Sequence, residues 1–284
     1  MEEITQLPKL KPRSPDSHKG DFGRVLMVAG SRGMSGAAVL CGSAALRGGA
    51  GLVRIAVPEG IWPVVAAGNP CFMTAPSPQD EAGRLSAAAE SQLLDLAQAN
   101  DVLGIGPGLG RSADLDKLLP QLLAKVQTPI VLDADGLNPF AGNAAKLKSH
   151  GGPLIITPHP GEFARLMGSD AQTVQGQRRE LAARLAAECG LIAVLKGQGT
   201  IVTDGRRIYQ NTTGNPGMAT GGTGDVLTGV IASLLAQGLE PFAAAALGVH
   251  VHGLAGDLAR DDKGEVSLIA TDLLDYLPRA FGKI

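Results

Sequence analysis

The sequence predicts an α/β fold, a doubly wound and mostly parallel sheet flanked by helices. Short, continuously apolar runs alternate with helix-length stretches, the pattern of strands buried on both faces. The 39 glycines of the 284-residue chain concentrate just after those runs, where strand-to-helix turns belong. The first run, helix and second run are spaced as a right-handed βαβ unit.

The elements follow in order. Residues 1–20 carry Pro8, Pro12 and Pro15 among charges and no apolar core, so they read as an N-terminal extension and not a signal peptide. The first strand is 24–30, followed by a Ser-Arg-Gly-Met-Ser-Gly turn and an Ala-rich helix over 37–47. Gly48 to Gly51 turn the chain into a second strand at 52–57. The glycines from Gly30 to Gly36 lack G-x-G-x-x-G spacing, and no acidic residue closes the second strand, which argues against a dinucleotide fingerprint. A mixed segment, 59–86, follows. Helix 90–99 leads to strand 101–105 and G-P-G-L-G, and helix 113–125 to strand 130–134 and D-G-L-N. Strand 154–157 runs into P-H-P-G-E and a short helix. A helix over 173–189 returns the chain to strand 192–196. Residues 200–203 and 207–210 form a hairpin around Asp204-Gly205. Helices over 241–260 and 270–277 close the chain. No linker, repeat or low-complexity segment interrupts residues 1–284, so one domain is expected.

Composition narrows the function. Hydrophobic residues at 44% and charged residues at 18% describe a soluble globular protein with ample core. A net charge of −2 leaves no electrostatic footprint for nucleic acid or anionic membrane. Aromatics at 3% argue against base-stacking platforms, and no run is expected to span a membrane. Cys41, Cys71 and Cys189 are odd in number and widely spaced, which points to reduced thiols, a cytoplasmic location and no structural zinc.

The chemistry concentrates in N-T-T-G-N-P-G-M-A-T-G-G-T-G-D, residues 211–225. Apolar residues from Val226 to Leu235 then share one helical face until Gly238 stops it. Gly221 to Asp225 therefore sit where a loop becomes a helix N-terminus, and free N–H groups with the macrodipole favour an anion there. A phosphate explains the glycines. Asp225 is explained if a hydroxyl must lose a proton while it attacks phosphorus. The bland reading is a glycine turn with Asp225 as a cap, but the run is longer than capping requires. Sheets of this kind bind ligands outside the carboxyl ends of their strands. G-P-G-L-G, D-A-D-G-L-N, T-P-H-P-G-E, K-G-Q-G-T and G-G-T-G-D all fall on that edge. Together they predict a nucleotide or phosphate site. His250 and His252 lie in an Ala-rich helical pattern and read as structural, and Arg178, Arg179 and Glu180 as a solvated helix face. His159 is poised evenly between rigidifying its loop and touching a ligand.

These blocks, with H-K-G-D-F-G-R-V-L-M-V-A-G-S (18–31), M-S-G-A-A (34–38) and N-P-G-M-A-T-G-G-T-G-D-V-L-T-G (215–229), resemble the NAD(P)H-hydrate dehydratase family of the ribokinase-like superfamily. The likeness covers about residues 15–280. Sugar and vitamin kinases of the superfamily usually carry Asn where this chain has His159. The resemblance implies repair of NADH or NADPH hydrated at C6 of the nicotinamide ring, by phosphorylating the hydroxyl so that phosphate can leave. It implies ADP as phosphoryl donor, giving AMP and phosphate, where eukaryotic relatives use ATP. It implies Asp225 as base, with Gly222, Thr223 and Gly224 as the anion hole. Lys196, Gly197, Gln198, Gly199 and Thr200, with Gly224, would contact the AMP portion. Ala38, Gly108 and His159 would lie against the hydrated dinucleotide. Glu162, helped by Asp133, would organise Mg²⁺ through water. Many members carry an epimerase domain ahead of this one. The first βαβ begins near residue 24, so a separate epimerase is expected and only the S epimer as substrate. A homotetramer is expected on resemblance alone. Two other readings are a kinase of a small pyrimidine or thiazole alcohol, betrayed by accumulating product, and a nucleotide sensor without turnover.

Overall fold

Continuous apolar runs become strands here because the sheet is covered on both faces. The computed structural model describes all 284 residues. Its strands are β1 (Glu2–Glu3), β2 (Arg24–Val28), β3 (Leu52–Pro58), β4 (Met73–Ser77), β5 (Val102–Ile105), β6 (Ile130–Leu132), β7 (Leu154–Ile156), β8 (Ile192–Leu195), β9 (Ile201–Thr203) and β10 (Arg207–Gln210). All lie in one sheet, ordered β1-β10-β9-β8-β7-β6-β5-β2-β3-β4. Every pairing is parallel except those of β9 with β8 and β10.

Helices α1 (Ser35–Arg47), α8 (Thr223–Ala236), α9 (Pro241–Lys263) and α10 (Ala270–Phe281) share one face with the short α2 (Trp62–Gly68). The opposite face carries α3 (Glu90–Gln98), α4 (Ala113–Lys125), α5 (Pro160–Met167), α6 (Ala171–Gly176) and α7 (Arg178–Cys189). Strand β2 shows the division. Val25 and Met27 enter a core of 44 buried residues, and Leu26 and Val28 enter one of 37. With cores of similar size on both sides, no strand face is left for polar residues. The fold is the doubly wound, mostly parallel one expected. The chain winds outward from β2 to β4, then reverses to β5, so the switch point lies at the carboxyl ends of β2 and β5.

Several expectations need correction. The mixed segment 59–86 contains α2 and the edge strand β4. The extension supplies β1, whose Glu2 and Ile4 N–H groups donate to Arg206 and Ile208 at 2.8 Å. The strand expected over 130–134 stops at Leu132, because Asp133 opens a 3-10 helix and Ala134 takes φ of 51°. Ala134 is the one non-glycine residue in the left-handed region, a strained position at the edge of the cleft. The helix expected over 173–189 is two, broken at Gln177 with φ of −132°. Contrary to expectation, α9 is by length and composition apolar enough to cross a membrane. It is mostly buried instead, because small residues let it press on its neighbours. A Cβ on Gly248 would meet Ile231 of α8 at 2.7 Å. The three cysteines are unpaired.

Candidate active site

The N-terminus of α8 forms the centre of the site. Gly222 caps it with φ of 93°, a conformation that favours glycine. A Cβ there would also lie 2.5 Å from Leu40. The N–H groups from Gly221 to Asp225 donate to no protein acceptor. Three of them belong to the first helical turn, so they and the macrodipole face the cleft together. The Thr223 hydroxyl is turned back into its own loop, 3.0 Å from the carbonyls of Met218 and Thr220. Its contribution to an anion hole is therefore its backbone N–H.

Helix α9 holds this loop in place at successive turns. The Asn211 amide donates to the Val249 carbonyl at 3.2 Å, and the Thr213 hydroxyl to the His250 carbonyl at 2.8 Å. His252 Nε2 donates to the Thr223 carbonyl at 2.8 Å. Burial pushes the His252 pKa down to about 4, so the ring is neutral, with its proton on Nε2. Asp257 accepts from Gly214 N–H at 2.8 Å and from the Asn215 amide at 3.1 Å. The structural reading of His250 agrees with its contact to the Tyr209 hydroxyl at 3.2 Å.

Beneath the loop lies a charged cluster. The Lys196 ammonium, just past β8, is 2.7 Å from Asp133 Oδ1 and 3.8 Å from Glu162. The other Asp133 oxygen accepts from the Thr228 hydroxyl at 2.8 Å. A Cβ on Gly224 would lie 3.3 Å from Lys196 Nζ, a tight approach to the ammonium. Burial alone would lower the Lys196 pKa, but Asp133 and Glu162 outweigh it and hold it above the ordinary value. Asp225 goes the other way for a carboxyl. Burial and then the charge of Asp133 push it up to about 7, against the opposing pull of Lys196. A carboxyl with that proton affinity is matched to proton transfer at neutral pH.

On the far side, His159 caps α5. Its Nδ1 accepts from the N–H groups of Gly161 at 3.0 Å and Glu162 at 3.3 Å. Glu162 reciprocates by accepting the His159 N–H at 2.7 Å, closing a capping box. An asparagine at this position has the same ability to cap. The loop after β8 offers a second set of free donors, since the N–H groups of residues 197–200 reach no protein acceptor.

The family model described as NAD(P)H-hydrate dehydratase matches residues 25–279. The chain belongs to the NAD(P)H-hydrate dehydratase family. Membership makes it an enzyme, a lyase. The bifunctional NAD(P)H-hydrate repair enzyme Nnr of Moorella thermoacetica is 49% identical over 276 residues, 96% of this chain and 51% of that protein. The chain thus spans about half the length of the curated relatives it matches. The ADP/ATP-dependent NAD(P)H-hydrate dehydratase of Bacillus subtilis, co-crystallized with ATP/Mg2+, superposes with a TM-score of 0.82. That pair is 32% identical, with 97% of this chain and 94% of that chain covered. A ribokinase-like superfamily protein of Enterococcus faecalis gives a TM-score of 0.83 at 30% identity, covering 96% of this chain and 92% of that one.

Within this dehydratase frame, Asp225, Gly222, Gly224, Lys196, Glu162 and His159 converge as expected. Three other positions need a closer description. Ala38 and Gly108 come together at the switch point but are buried, and Ala38 is fully enclosed against Gly30. Nearby Ala37 and Gly110 are partly exposed. Asp133 is 1% exposed, and its two oxygens accept from Lys196 and Thr228. Arg178 is no solvated residue, since its guanidinium reaches the carbonyls of Leu195, Lys196 and Gln198. Thr228, His252 and Asp257 were missed as site residues. The last two did leave a signal, being polar side chains in a helix otherwise rich in Ala and Gly.

Proposed function

We propose that the chain dehydrates the S epimer of hydrated NADH or NADPH, with ADP as phosphoryl donor. The observation that carries this is the raised proton affinity of Asp225 beside a row of free N–H groups. A base that holds its proton to about pH 7 suits a weakly acidic hydroxyl. Asp225 takes the C6 hydroxyl proton as that oxygen attacks the β-phosphorus, and the bond to the AMP oxygen breaks. The N–H groups of residues 222–224 stabilise the charge on the transferred phosphoryl. The ring nitrogen lone pair then expels phosphate, and loss of a C5 proton restores the dihydropyridine. Residues 196–200 hold the AMP portion. His159 and the surface around Ala37 and Gly110 lie toward the hydrated ring.

Magnesium fits this site only in one form. No cluster of three acidic, His or Cys side chains can cage an ion, and Asp133 is committed to Lys196 and Thr228. The residues suit a Mg²⁺ that arrives with the nucleotide and keeps its waters, with Glu162 as an outer partner. When bound, that ion neutralises charge on the polyphosphate. The Bacillus subtilis relative, with ATP/Mg2+ in its crystals, supports the pairing.

The test follows dihydronicotinamide absorbance on mixing the protein with hydrated NADH, Mg²⁺ and each nucleotide separately. Recovery with ADP exceeding that with ATP, and its loss in EDTA, are the expected results. Equal or faster recovery with ATP overturns the donor assignment. A phosphorylated product that accumulates overturns the dehydration itself.

A further inference from the structure

The loop after β8 has an unusual arrangement of its backbone. All its carbonyls from Leu195 to Gln198 accept side-chain hydrogen bonds, and all its N–H groups from Gly197 to Thr200 are free. Arg178 causes this. Its Nη1 donates to the Gln198 carbonyl at 2.6 Å, and its Nη2 to the carbonyls of Leu195 at 2.9 Å and Lys196 at 3.0 Å. The Thr200 hydroxyl takes the remaining carbonyl, that of Gly197, at 2.9 Å. Gly197 itself has φ of 126°, and a Cβ there would lie 3.4 Å from Arg178 Nη2.

Local stability does not explain Arg178. It is the first residue of α7, where a cation opposes the macrodipole. Its hydrogen bonds go to carbonyls and none to a carboxylate, and its buried Nε has no acceptor. The break at Gln177 is what sets it at the helix start, facing the loop.

We propose that Arg178 is a positioning residue of the nucleotide site, which turns residues 197–200 into an anion nest for the α-phosphate of the donor nucleotide. Successive N–H groups aimed at one point bind anions whether or not a helix stands behind them. The guanidinium holds the carbonyls away from that point and adds a positive charge uncompensated by any carboxylate. A planar guanidinium holds its donors in a rigid fork spread over two nitrogens, whereas an ammonium gathers its donors on one atom at the end of a flexible stem. This inference rests on the nucleotide reading of the loop.

The experiment is calorimetric titration of ADP with Mg²⁺ into the wild type, Arg178→Ala and Arg178→Lys, with steady-state kinetics and melting curves on each. Arg178→Ala should weaken ADP binding about 10-fold or more, the loss expected for charge-assisted bonds. Turnover at saturating nucleotide should stay within about twofold, because the chemistry at Asp225 is untouched. Millimolar guanidinium ion should restore affinity to Arg178→Ala and leave the wild type unchanged. Arg178→Lys should recover only part of the affinity. Wild-type affinity in Arg178→Ala, or full recovery in Arg178→Lys, overturns the proposal. If Arg178→Ala melts too low to titrate, the lysine variant decides alone. A wild type that binds neither ADP nor ATP overturns the nucleotide reading instead.

Discussion

The two rows of free N–H groups, residues 221–225 and 197–200, reach the same end by different construction. The first stands on α8, so the helix itself orients the donors and adds its dipole. Its loop is then clasped from behind by α9 through Asn211, Thr213, His252 and Asp257. The second has no helix behind it, and one guanidinium takes the helix's place. The carboxylates are divided just as unevenly. Asp225 stands in the helix-backed loop with a proton affinity raised to about 7, and Asp133 and Glu162 sit between the loops around Lys196. The difference suggests a division of labour, in which the helix-backed row faces the group that moves and the other row only holds.

That division breaks most sharply at Asp225. Asp225→Asn keeps the volume of the side chain, yet turnover should fall about 10²-fold or more. ADP affinity should survive, since the N–H groups remain and one repelling charge is gone. The same variant should change stability in a sign-defined way. The wild-type carboxyl titrates near 7 in the fold against an ordinary 3.8, so its ionisation disfavours the folded state as pH rises between those values. Asp225→Asn should therefore melt higher than wild type above about pH 7, with the gain gone below about pH 4. Near-normal turnover would leave Asp225 no part in the chemistry.

Gly222→Ala tests the helix-backed loop without touching charge. With φ of 93° and Leu40 at 2.5 Å, a side chain there should cost about 1–3 kcal/mol. Gly221→Ala is the control, because a Cβ there meets nothing within 4 Å and the melting temperature should not move. Equal melting temperatures for the two would show that the cap geometry is soft. His252→Gln should be milder, costing about 1 kcal/mol for the bond to the Thr223 carbonyl and slowing turnover several-fold. Its effect should be independent of pH between 6 and 9, because the native ring is already neutral there.

The smallest effect is in the pH profile. Asp225 works ionised, so kcat/KM should rise with pH through about 7 and level off above it. Asp133→Asn removes a carboxylate that raises Asp225 and frees Lys196 to lower it. The rising limb should then move to lower pH, on the order of one unit. A limb that stays in place would detach Asp133 from the base.

The sheet was largely legible because the apolar runs have no other use. What escaped was short or set by distant contacts. Strand β1 is two residues among prolines and charges, and β4 is an edge strand carrying Met73, Thr74 and Pro76. In the site, Asp225 and the glycines could be read because a loop-to-helix boundary shows locally. Arg178 could not, since helical periodicity runs through Gln177 and paints residue 178 as solvated. The break that redirects it is tertiary. The partners of Asp133 were hidden for a related reason, because nothing in D-A-D-G-L-N shows that Lys196 and Thr228 will engage both its oxygens. The burial of Ala38 likewise follows from packing against Gly30, eight residues earlier in the chain.

Strand β1 has a practical consequence. It occupies the hydrogen-bonding flank of β10 with a strand of only two residues, and beyond it the sheet has no further strand. Trimming the first four residues, or fusing a bulky tag ahead of them, would leave β10 as a bare margin that invites strands from other molecules. Such a preparation should keep its turnover when dilute, and scatter light increasingly as it is concentrated. A tag on the carboxyl end, after α10, leaves that margin covered.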